Sequence, residues 1–595
     1  IQTMKRIIYS LLFAAGALFA GCSDDDTQAP LNTPIQEGNN LYGVVTDPNG
    51  APVGGIVVSD GFSCVATDAN GVYQMPRHAD AFHVFYRIPA DREIPMSEGR
   101  PCFWQRLSKT QERYDFVLMP QQAVETDFKL VCIADPQVQK DTDLARFKEE
   151  SVPDIRAHVS TLEGPVYGIT LGDIIFNEKA KDVTNQMMPP IALAMRESEI
   201  GLKLFQVMGN HDNCMTPTVT DESSNFDLAG RRNFEYKFGP CDYSFDRGNA
   251  HIVAMDDVLL TDEKHNPSDY EGGFTDAQVE WLRQDLSLVP KEKLVIFCVH
   301  IPLRNATSFN RETVRNLLKE FDNVHIMAGH THYAQNYIDG DVYEHIHGAV
   351  CGAWWKSTIN VDGTPNGYGV YDISGSKIEN WYYKPTRLSK DFQIRMYRGE
   401  TTFAGGYKFT YTASDEIVAN IWNSDDRNWK VEVYENGNKT GEMTREKKRA
   451  EHHAENAEPS AEQNEAEFQQ PERRTELFVR NRQRTERRNR NHNDGHRAHQ
   501  IGGNRCISDD QPAHNSDRPA KRPRHAHTGL ADQFKSKFHQ KNFQNAGERN
   551  AFPRFGERQQ EFGRKHLRVK ARDSQVSARN PQGEKDRRIP QQPLK

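Results

Sequence analysis

Six mainly apolar runs, separated by longer polar segments, are the feature that most constrains the fold of this chain. They lie at residues 128–134, 166–171, 204–208, 252–255, 294–299 and 324–328. Continuous apolar runs are typical of strands that are covered on both faces, whereas half-exposed strands alternate apolar and polar residues. The runs therefore predict an α/β domain, over residues 126–385, in which helices cover the sheets.

One helix is marked both by its start and by its periodicity. Residues 275–278, Thr-Asp-Ala-Gln, have the pattern of a capping box, in which the first and fourth residues satisfy each other's backbone amides. Val279, Leu282 and Leu286 then follow at the spacing of one apolar helix face. Together with the strands, this helix predicts a four-layer α/β/β/α sandwich whose chemistry lies in the loops at the strand ends.

Strand-like patterns flank this domain on both sides. Residues 41–120 alternate β-branched runs with Asn-Gly turns, which predicts a small β-sandwich that serves as a spacer or docking module. That pattern resembles the prealbumin-like or carboxypeptidase-regulatory-like modules that precede secreted catalytic domains. Residues 386–445 return to strand-like alternation and predict a partial, truncated C-terminal β domain.

Polar side chains that can bind metals follow five of the six apolar runs. A turn residue that caps a strand is the ordinary explanation for any one of them, but five in succession make coincidence very improbable. Carboxylate, amide and imidazole groups are common ligands of divalent transition metals. We therefore predict that these side chains converge on one metal site: Asp135, Asp173, Asn210, His211, Asp212, His300, His330 and His332.

This order of motifs resembles that of the calcineurin-like metallophosphoesterase superfamily, in a secreted bacterial form with a β module on each side. The superfamily pattern is Asp-x-His, Gly-Asp, Gly-Asn-His-Asp or -Glu, an isolated His and Gly-His-x-His. The resemblance implies two divalent cations (Mn, Fe, Zn or Co) with Asp173 between them. It divides the other ligands into two sets, Asn210 with His300 and His330, and Asp135 with His332.

Gln137 departs from this pattern, because the superfamily has histidine at that position. An amide oxygen is a weaker metal ligand than imidazole, so the cation beside Asp135 is expected to be held loosely or to be a harder ion. Some branches of the superfamily, including a serine/threonine phosphatase branch, resemble this chain in having Asp-Pro-Gln. The change therefore predicts a tuned site, with loss of one cation and of activity as the alternative.

The resemblance implies hydrolysis of a phosphomonoester or phosphodiester by attack of a hydroxide that bridges the two cations. His211 would donate a proton to the leaving oxygen, and Asp212 would orient the imidazole of His211 and raise its basicity. The substrate is expected to be a small-molecule or envelope phosphoester. The other interpretation is a catalytically defective envelope lipoprotein that acts as a binding module.

The C-terminal quarter of the chain differs in composition from the rest. Residues 446–595 contain 33 Lys and Arg against 21 Asp and Glu, and only ten Ile, Leu or Val. So few apolar side chains cannot offset the entropy of ordering, and no regular structure is predicted there. The segment is either a genuine disordered tail or an out-of-frame translation. The net charge of residues 446–595 is +12, and that of the whole chain is −8, so residues 1–445 carry −20. An acidic folded part gives no indication of nucleic-acid binding.

The N-terminus has the features of an exported lipoprotein. Residues 4–22 combine a basic start, a short apolar stretch and the ending Leu-Phe-Ala-Gly-Cys, which resembles a bacterial lipobox. The resemblance implies a lipid anchor on Cys22, a flexible linker over residues 23–40 and a location at the outer membrane of a Gram-negative bacterium. An ordinary secretory peptide is the alternative. Disulfides are permitted outside the cytoplasm, and Cys64 with Cys102 is a candidate pair.

A cluster of glycine and aromatic residues follows the last motif. So close to the metal loop, residues 351–355 (Cys-Gly-Ala-Trp-Trp) could form the wall of a substrate pocket. The ordinary explanation, core aromatics of a closing strand, agrees equally well with the sequence.

Overall fold

The structure, a computed structural model, describes residues 28–176, 184–213, 226–260, 270–305, 309–360 and 362–398. It also describes shorter stretches between residues 402 and 449 and the strands Arg474–Asn481 and Leu567–Asp573. The predicted signal peptide with Cys22, and the linker as far as residue 27, lie outside these residues. Across the described part of the chain, no helix combines the length and the apolar character needed to span a bilayer.

The N-terminal module consists of short strands that form two main sheets. The strands are β1 (Leu41–Thr46), β2 (Val57–Ser59), β3 (Cys64–Ala66), β4 (Val72–Met75), β5 (His83–Tyr86), β6 (Met96–Ser97), β7 (Arg100–Pro101), β8 (Trp104–Arg106) and β9 (Phe116–Val117). The sheet orders are β4-β1-β9 and β3-β2-β5-β8, and strands of both sheets contribute to one apolar core that includes Leu41, Val58 and Phe116. This arrangement is that of a small β-sandwich.

Two larger sheets make up the centre of the next domain. Their strands and those of a short hairpin are β10 (Asp127–Ile133), β11 (Val166–Thr170), β12 (Lys203–Phe205), β13 (Tyr243–Arg247), β14 (Ala250–Ala254), β15 (Val258–Leu260), β16 (Tyr270–Gly272), β17 (Leu294–Cys298), β18 (Asn323–Ala328), β19 (Gln335–Asp339), β20 (Val342–Ile346), β21 (Gly367–Ser374) and β22 (Lys377–Pro385). The five-stranded sheet has the order β12-β11-β10-β21-β22, and the six-stranded sheet the order β13-β14-β17-β18-β20-β19.

Both sheets contain a parallel central part. Strands β10, β11 and β12 pair in parallel, and so do β14, β17, β18 and β20. The carboxyl ends of parallel strands lie at one edge of a sheet, where loops collect. The strands that carry the predicted site residues are all among these parallel strands.

Helices cover the outer faces of the sheets. They are α1 (Asp141–Arg146), which continues through the π-helical turn Phe147–Ser151 into α2 (Val152–Val159), then α3 (Thr184–Ala194), α4 (Glu197–Ile200), α5 (Phe226–Phe238), α6 (Asp276–Ser287) and α7 (Arg311–Leu318). The capping box is present at α6, where Thr275 and Gln278 bond to each other's backbone amides at 2.9 and 3.2 Å.

Alternate residues of β10 point into two different cores. Leu130 and Cys132 belong to the core that also holds Ile252 and Phe297 of the six-stranded sheet. Val131 and Ile133 belong to the core formed with helix residues such as Phe147, Ile155 and Ile191. A strand buried on both faces needs apolar residues at every position, which is why the sequence runs are continuous. The predicted α/β/β/α sandwich is confirmed.

The β-sandwich module packs directly on the six-stranded sheet and on α6. The indole Nε1 of Trp281 donates to Ser59 Oγ at 3.0 Å, and the backbone amide of Cys64 donates to Gln284 Oε1 at 2.9 Å. Arg247 donates to the carbonyl oxygens of Pro89 and Arg92 at 3.1 and 3.0 Å. Residues of the module and of the sandwich therefore belong to a single apolar core.

Further strands follow the sandwich. They are β23 (Ile394–Arg398), β24 (Thr402–Phe403), β25 (Phe409–Thr410), β26 (Glu416–Ile421), β27 (Trp429–Glu435), β28 (Asn438–Glu442), β29 (Thr444–Arg449), β30 (Arg474–Asn481) and β31 (Leu567–Asp573). The chain divides into two compact units, residues 1–429 with 445–479, and residues 430–444 with 480–595.

Residues 446–595, for which no regular structure is predicted, include the end of β29 and the strands β30 and β31. Strand β30 joins a four-stranded sheet of order β23-β26-β30-β29, and β31 joins a three-stranded sheet of order β28-β27-β31. Both strands are rich in Val, Leu, Phe or Thr compared with the rest of the segment, which favours pairing over a few residues. Most of the remaining segment lies outside the described residues.

Cys64 and Cys102, the candidate disulfide pair, are both free thiols. The Sγ of Cys102 lies 3.9 Å from the carbonyl oxygen of Trp104, and Cys64 lies on the strand that packs against α6. The pairing suggested by the sequence is therefore wrong.

Candidate metal centre

The predicted site residues meet where the two sheets present their carboxyl ends. Asp135 follows β10, Asp173 follows β11, and Asn210 follows β12 in the 3-10 turn Asn210–Asp212. His300 follows β17, and His330 with His332 follows β18. Five loops from two sheets thus supply one cluster of carboxylate, amide and imidazole groups.

The inner half of the site, defined as Asp173, Asn210, His300 and His330, is closely gathered. Asn210 Oδ1 lies 3.0 Å from His300 Nε2 and 3.1 Å from His330 Nδ1. Asp173 Oδ2 lies 3.2 Å from His300 Nε2. The ligand atoms of Asp173, His300 and His330 all lie within 4.8 Å of one another, which suits one divalent cation.

The outer half of the site, defined as Asp135, Gln137 and His332, is more open. Asp135 Oδ1 lies 3.4 Å from His332 Nε2. Gln137 Nε2 donates to Asp173 Oδ2 at 2.8 Å, while Gln137 Oε1 is buried and has no hydrogen-bond partner among the described residues. An unsatisfied buried acceptor is costly, and a cation would satisfy it. Gln137 thus fits the ligand position that the sequence assigns to it.

The backbone at the ligands is unusual. Asp135, Gln137, Asp173, His330 and His332 have φ between 41° and 69°, the left-handed region that residues other than glycine seldom adopt. Such conformations persist only where the surrounding structure enforces them, and they collect at functional sites. The orientation of these ligands is therefore built into the loops.

Glycines before the ligands allow the loops to approach one another. A Cβ at Gly209 would lie 2.2 Å from the backbone nitrogen of Asp173, and one at Gly172 would lie 2.5 Å from His300 Nδ1. A Cβ at Gly329 would lie 2.7 Å from Asp135 Oδ2. Each motif consequently needs glycine at this position for steric reasons.

Charged groups in the inner half strongly shift one another's pKa. Burial lowers the pKa of His300, but the carboxylates of Asp173 and Asp135 and the neighbouring hydrogen bonds outweigh it and raise that pKa to about 10. Burial, together with the charge of His300, lowers the pKa of His330 to about 3. Burial raises the pKa of Asp173, but the imidazoles of His300 and His211 outweigh it and hold that pKa far below its usual range. A cation that binds here must displace the proton from His300.

His211 lies at the open side of the site. Its backbone amide donates to Asp173 Oδ1 at 2.9 Å, its Nε2 lies 4.0 Å from Asp173 Oδ2, and its side chain is 20% exposed. The imidazole stacks on the ring of Phe176 with centroids 4.2 Å apart. A partly exposed imidazole beside the ligands is suitably placed to reach a bound substrate.

The carboxylate of Asp212 bonds to the backbone of neighbouring loops, and its orientation of His211 stays a prediction. The carboxylate is fully buried and accepts from the backbone amides of Ile175 and Gly209 at 3.0 and 2.9 Å. Asp212 thus fixes the loops that carry Asp173 and Asn210.

Asp257 supports the site and was missed in the sequence. Its Oδ1 accepts from the backbone amides of His300 and Ile301 at 3.1 and 3.0 Å, and burial raises its pKa to about 7. The signal was present, because Asp256-Asp257 follows the apolar run 252–255 in the same way that the ligands follow their strands. That run was the one not followed by a predicted ligand.

Family models match most of the chain. "Calcineurin-like phosphoesterase" matches residues 128–334, "N terminal of Calcineurin-like phosphoesterase" residues 39–121, and "C terminal of Calcineurin-like phosphoesterase" residues 344–489. The chain belongs to the calcineurin-like metallophosphoesterase superfamily, and its general class is that of a phosphoester hydrolase. This family is typically metal-dependent, in agreement with the cluster of Asp173, His300 and His330.

Solved structures with a similar fold are distant. The Plasmodium inner membrane complex anchor GAP50 is 13% identical, with 45% of this chain and 91% of that chain covered and a TM-score of 0.26. The 5'-nucleotidase from Candida albicans SC5314 is 12% identical, with 44% and 52% covered and a TM-score of 0.28. Phosphopantetheinyl hydrolase from Mycobacterium tuberculosis is 15% identical, with 38% and 91% covered and a TM-score of 0.23. No curated protein matches the chain.

Proposed function

We propose that this protein hydrolyses a phosphomonoester or phosphodiester with two divalent cations, one in each half of the site. Bound cations of this kind neutralise the phosphoryl oxygens and supply an activated water-derived nucleophile. The inner half would hold one cation through Asn210, His300 and His330, and the outer half the other through Asp135, Gln137 and His332. Asp173 would serve both, since it contacts His300 and Gln137 from one carboxylate.

His211 is the residue proposed to assist the leaving group. It is partly exposed, whereas His300 is fully buried, and it is fixed by its backbone bond to Asp173 and by the ring of Phe176. A protonated imidazole at this position would donate its Nε2 proton to the leaving oxygen. Asp212 and Asp257 would hold the loops that carry the ligands in position.

The observation that carries the proposal is the convergence of Asp173, Asn210, His300 and His330 within hydrogen-bonding distances. These groups come from four different loops, and their approach needs glycine at three positions. The interpretation as a defective binding lipoprotein has no comparable support.

We also propose that the protein is lipid-anchored through Cys22 at the outer membrane, where it would meet a small-molecule or envelope phosphoester. This rests on the lipobox resemblance of residues 4–22. Labelling of cells with a fatty-acid probe should mark the wild type and leave Cys22→Ser unmarked. An unmarked wild type would contradict the anchor without affecting the catalytic proposal.

The test of the catalytic proposal uses the full chain without residues 1–22. We expect hydrolysis of p-nitrophenyl phosphate or bis-p-nitrophenyl phosphate with added Mn²⁺, and loss of that activity in Asn210→Ala and His211→Ala. Asn380→Ala, an exposed asparagine on β22, is the matched control and should retain wild-type activity. Absence of turnover, together with less than about one metal ion per chain, would contradict the proposal and favour a binding role.

A further inference from the structure

Three aromatic rings surround the mouth of the site, each against a different imidazole. Phe176 stacks on His211 with centroids 4.2 Å apart, and Tyr270 meets His330 edge to face at 6.2 Å. The third ring, Trp354, stacks on His332 at 4.8 Å with an interplanar angle of 26°. All three rings are half-buried, so part of each remains accessible next to the metal ligands.

Trp354 lies in a turn that several hydrogen bonds fix. It and Trp355 both have left-handed backbone, with φ of 48° and 60°, which is rare for bulky residues. Trp355 anchors the turn, because its Nε1 donates to the carbonyl oxygen of Pro136 at 2.8 Å and its ring is 6% exposed. Backbone bonds from Ala353 to Ile359 and from Trp355 to Cys351, at 2.8 and 2.9 Å, complete the turn.

This turn joins the aromatic wall to the outer half of the site. Pro136, which receives the Trp355 bond, lies between Asp135 and Gln137 in the chain. The position of Trp354 is thus fixed relative to the outer ligands as well as to His332. The turn holds the indole of Trp354 half-exposed at the mouth, although left-handed backbone is costly for a tryptophan.

We propose that Trp354 is the specificity-determining residue of this site and selects phosphoesters whose alcohol carries a planar aromatic ring close to the ester oxygen. The inference rests on the proposed function. The indole stacks on His332, a proposed ligand of the outer half, with ring centroids 4.8 Å apart. A substrate ring that reaches the indole would therefore be attached close to the ester oxygen.

The physical basis is the preference of aromatic rings for stacked or edge-to-face contacts with other rings. Such a contact adds about two- to tenfold to binding beyond the effect of the apolar area alone. A saturated ring of the same size buries a similar area but lacks this contribution. Phe176 and Tyr270 extend the same aromatic lining toward His211 and His330.

The test compares benzyl phosphate with cyclohexylmethyl phosphate, which have similar size and similarly basic leaving groups. We expect wild-type kcat/KM to favour the benzyl ester about fivefold, mainly through KM. Trp354→Leu, which removes the ring, should bring the ratio to about one, whereas Trp354→Tyr, which keeps a ring, should preserve most of it. Tyr236→Leu alters a half-exposed aromatic residue on α5 that packs against Phe82, and it should leave the ratio unchanged.

The other results of this comparison would contradict either the role of Trp354 or the proposed function. If Trp354→Leu slows both esters by the same factor, Trp354 merely positions His332 and the inference is wrong. If the wild type hydrolyses both esters equally, the inference is wrong while the proposed function stands. If the wild type hydrolyses neither ester but does hydrolyse bis-p-nitrophenyl phosphate or p-nitrophenyl phosphate, the inference is wrong and the proposed function stands. If it hydrolyses none of the four, the proposed function fails and the inference with it. Should Trp354→Leu not fold, equal inhibition of the wild type by benzylphosphonate and cyclohexylmethylphosphonate would overturn the inference.

Discussion

The two halves of the site differ in how closely their ligands are gathered. In the inner half, Asn210 Oδ1 lies within 3.1 Å of both His300 and His330, and every ligand is fixed by neighbouring loops. In the outer half, Asp135 and His332 are 3.4 Å apart, and Gln137 turns its amide nitrogen toward Asp173. The ligand atoms of the inner half are thus the more closely spaced.

This difference indicates that the two halves contribute unequally to metal affinity. The inner half has the more closely spaced ligands, and its Asp173 is the carboxylate proposed to serve both halves. We expect ordered binding, with the inner half filled before the outer half.

Asn210→Ala should have the largest effect, because it removes the amide oxygen that lies closest to both inner imidazoles. We expect kcat/KM to fall about a thousandfold, while Gln137→Ala lowers it only about tenfold. Steady-state hydrolysis of p-nitrophenyl phosphate at saturating Mn²⁺ measures both. Equal losses of kcat/KM in the two variants would contradict the distinction between the halves.

Gly209→Ala and Gly329→Ala compare the steric tolerance of the halves. The new Cβ at Gly209 would lie 2.2 Å from the backbone of Asp173, whereas that at Gly329 would lie 2.7 Å from a side-chain oxygen of Asp135. We expect Gly209→Ala to lower the free energy of unfolding by about 3 kcal/mol and Gly329→Ala by about half of that. Chemical denaturation measures both values.

Gly164→Ala serves as the control for these two variants. Its Cβ would meet nothing within 4 Å, but its φ of 80° is unfavourable for alanine. A loss of only about 1 kcal/mol is expected there. Gly209 has an extended backbone, with φ of −120°, so its loss must come from the contact alone. A loss at Gly209→Ala no larger than that at Gly164→Ala would mean that the loops can move apart to accept the new Cβ.

Gln137→His should make the halves more alike, since imidazole binds divalent transition metals more strongly than an amide does. We expect the weaker of two Mn²⁺ dissociation constants to decrease about tenfold and the stronger to stay unchanged. Isothermal titration of metal-free protein resolves the two constants. Gln139→His, two residues further along and outside the described ligand set, is the matched control and should change neither constant.

Asp257→Asn should have the smallest effect, on the pH dependence of stability in metal-free protein. Burial raises the pKa of Asp257 to about 7 from an ordinary value of 3.8, so its contribution to stability is present below about pH 4 and is lost as the pH rises through 7. Asparagine keeps an acceptor for the amides of His300 and Ile301 but does not titrate. The fall in Tm from pH 5 to pH 8 should therefore be about 2–4 °C smaller in the variant.

Asp212 limits how far Asp257→Asn can reduce the fall in Tm between pH 5 and pH 8. Burial and the charge of Asp173 raise the pKa of Asp212 to about 7 as well, so part of the fall in Tm should remain. A variant as steep as the wild type would mean that Asp257 does not change its charge in the folded protein between pH 5 and pH 8.

Much of the fold and of the ligand set could be predicted from the sequence. The apolar runs predicted the buried strands because burial on both faces leaves no polar positions, as in residues 130–134. The ligands could be found because the ends of parallel strands meet, which brings Asp173 and His300 together although 126 residues lie between them in the chain. Strand position alone carried this information.

Side-chain direction could not be predicted in the same way. Asp212 is adjacent to His211, yet the 3-10 turn sends its carboxylate to the backbone of Ile175 and Gly209. The left-handed conformation of Trp354 depends on the bond of Trp355 to Pro136, 219 residues away in the chain. Such features arise from tertiary contacts that no local pattern encodes.

The packing of the N-terminal module on α6 has a consequence for how the molecule melts. The bond from Trp281 to Ser59 and the bonds that Arg247 donates to the carbonyl oxygens of Pro89 and Arg92 place the boundary between the two parts inside one apolar core. We expect parts joined in this way to lose their structure together, in a single calorimetric transition. The module thus behaves thermodynamically as an additional layer of the enzyme rather than as a tethered neighbour.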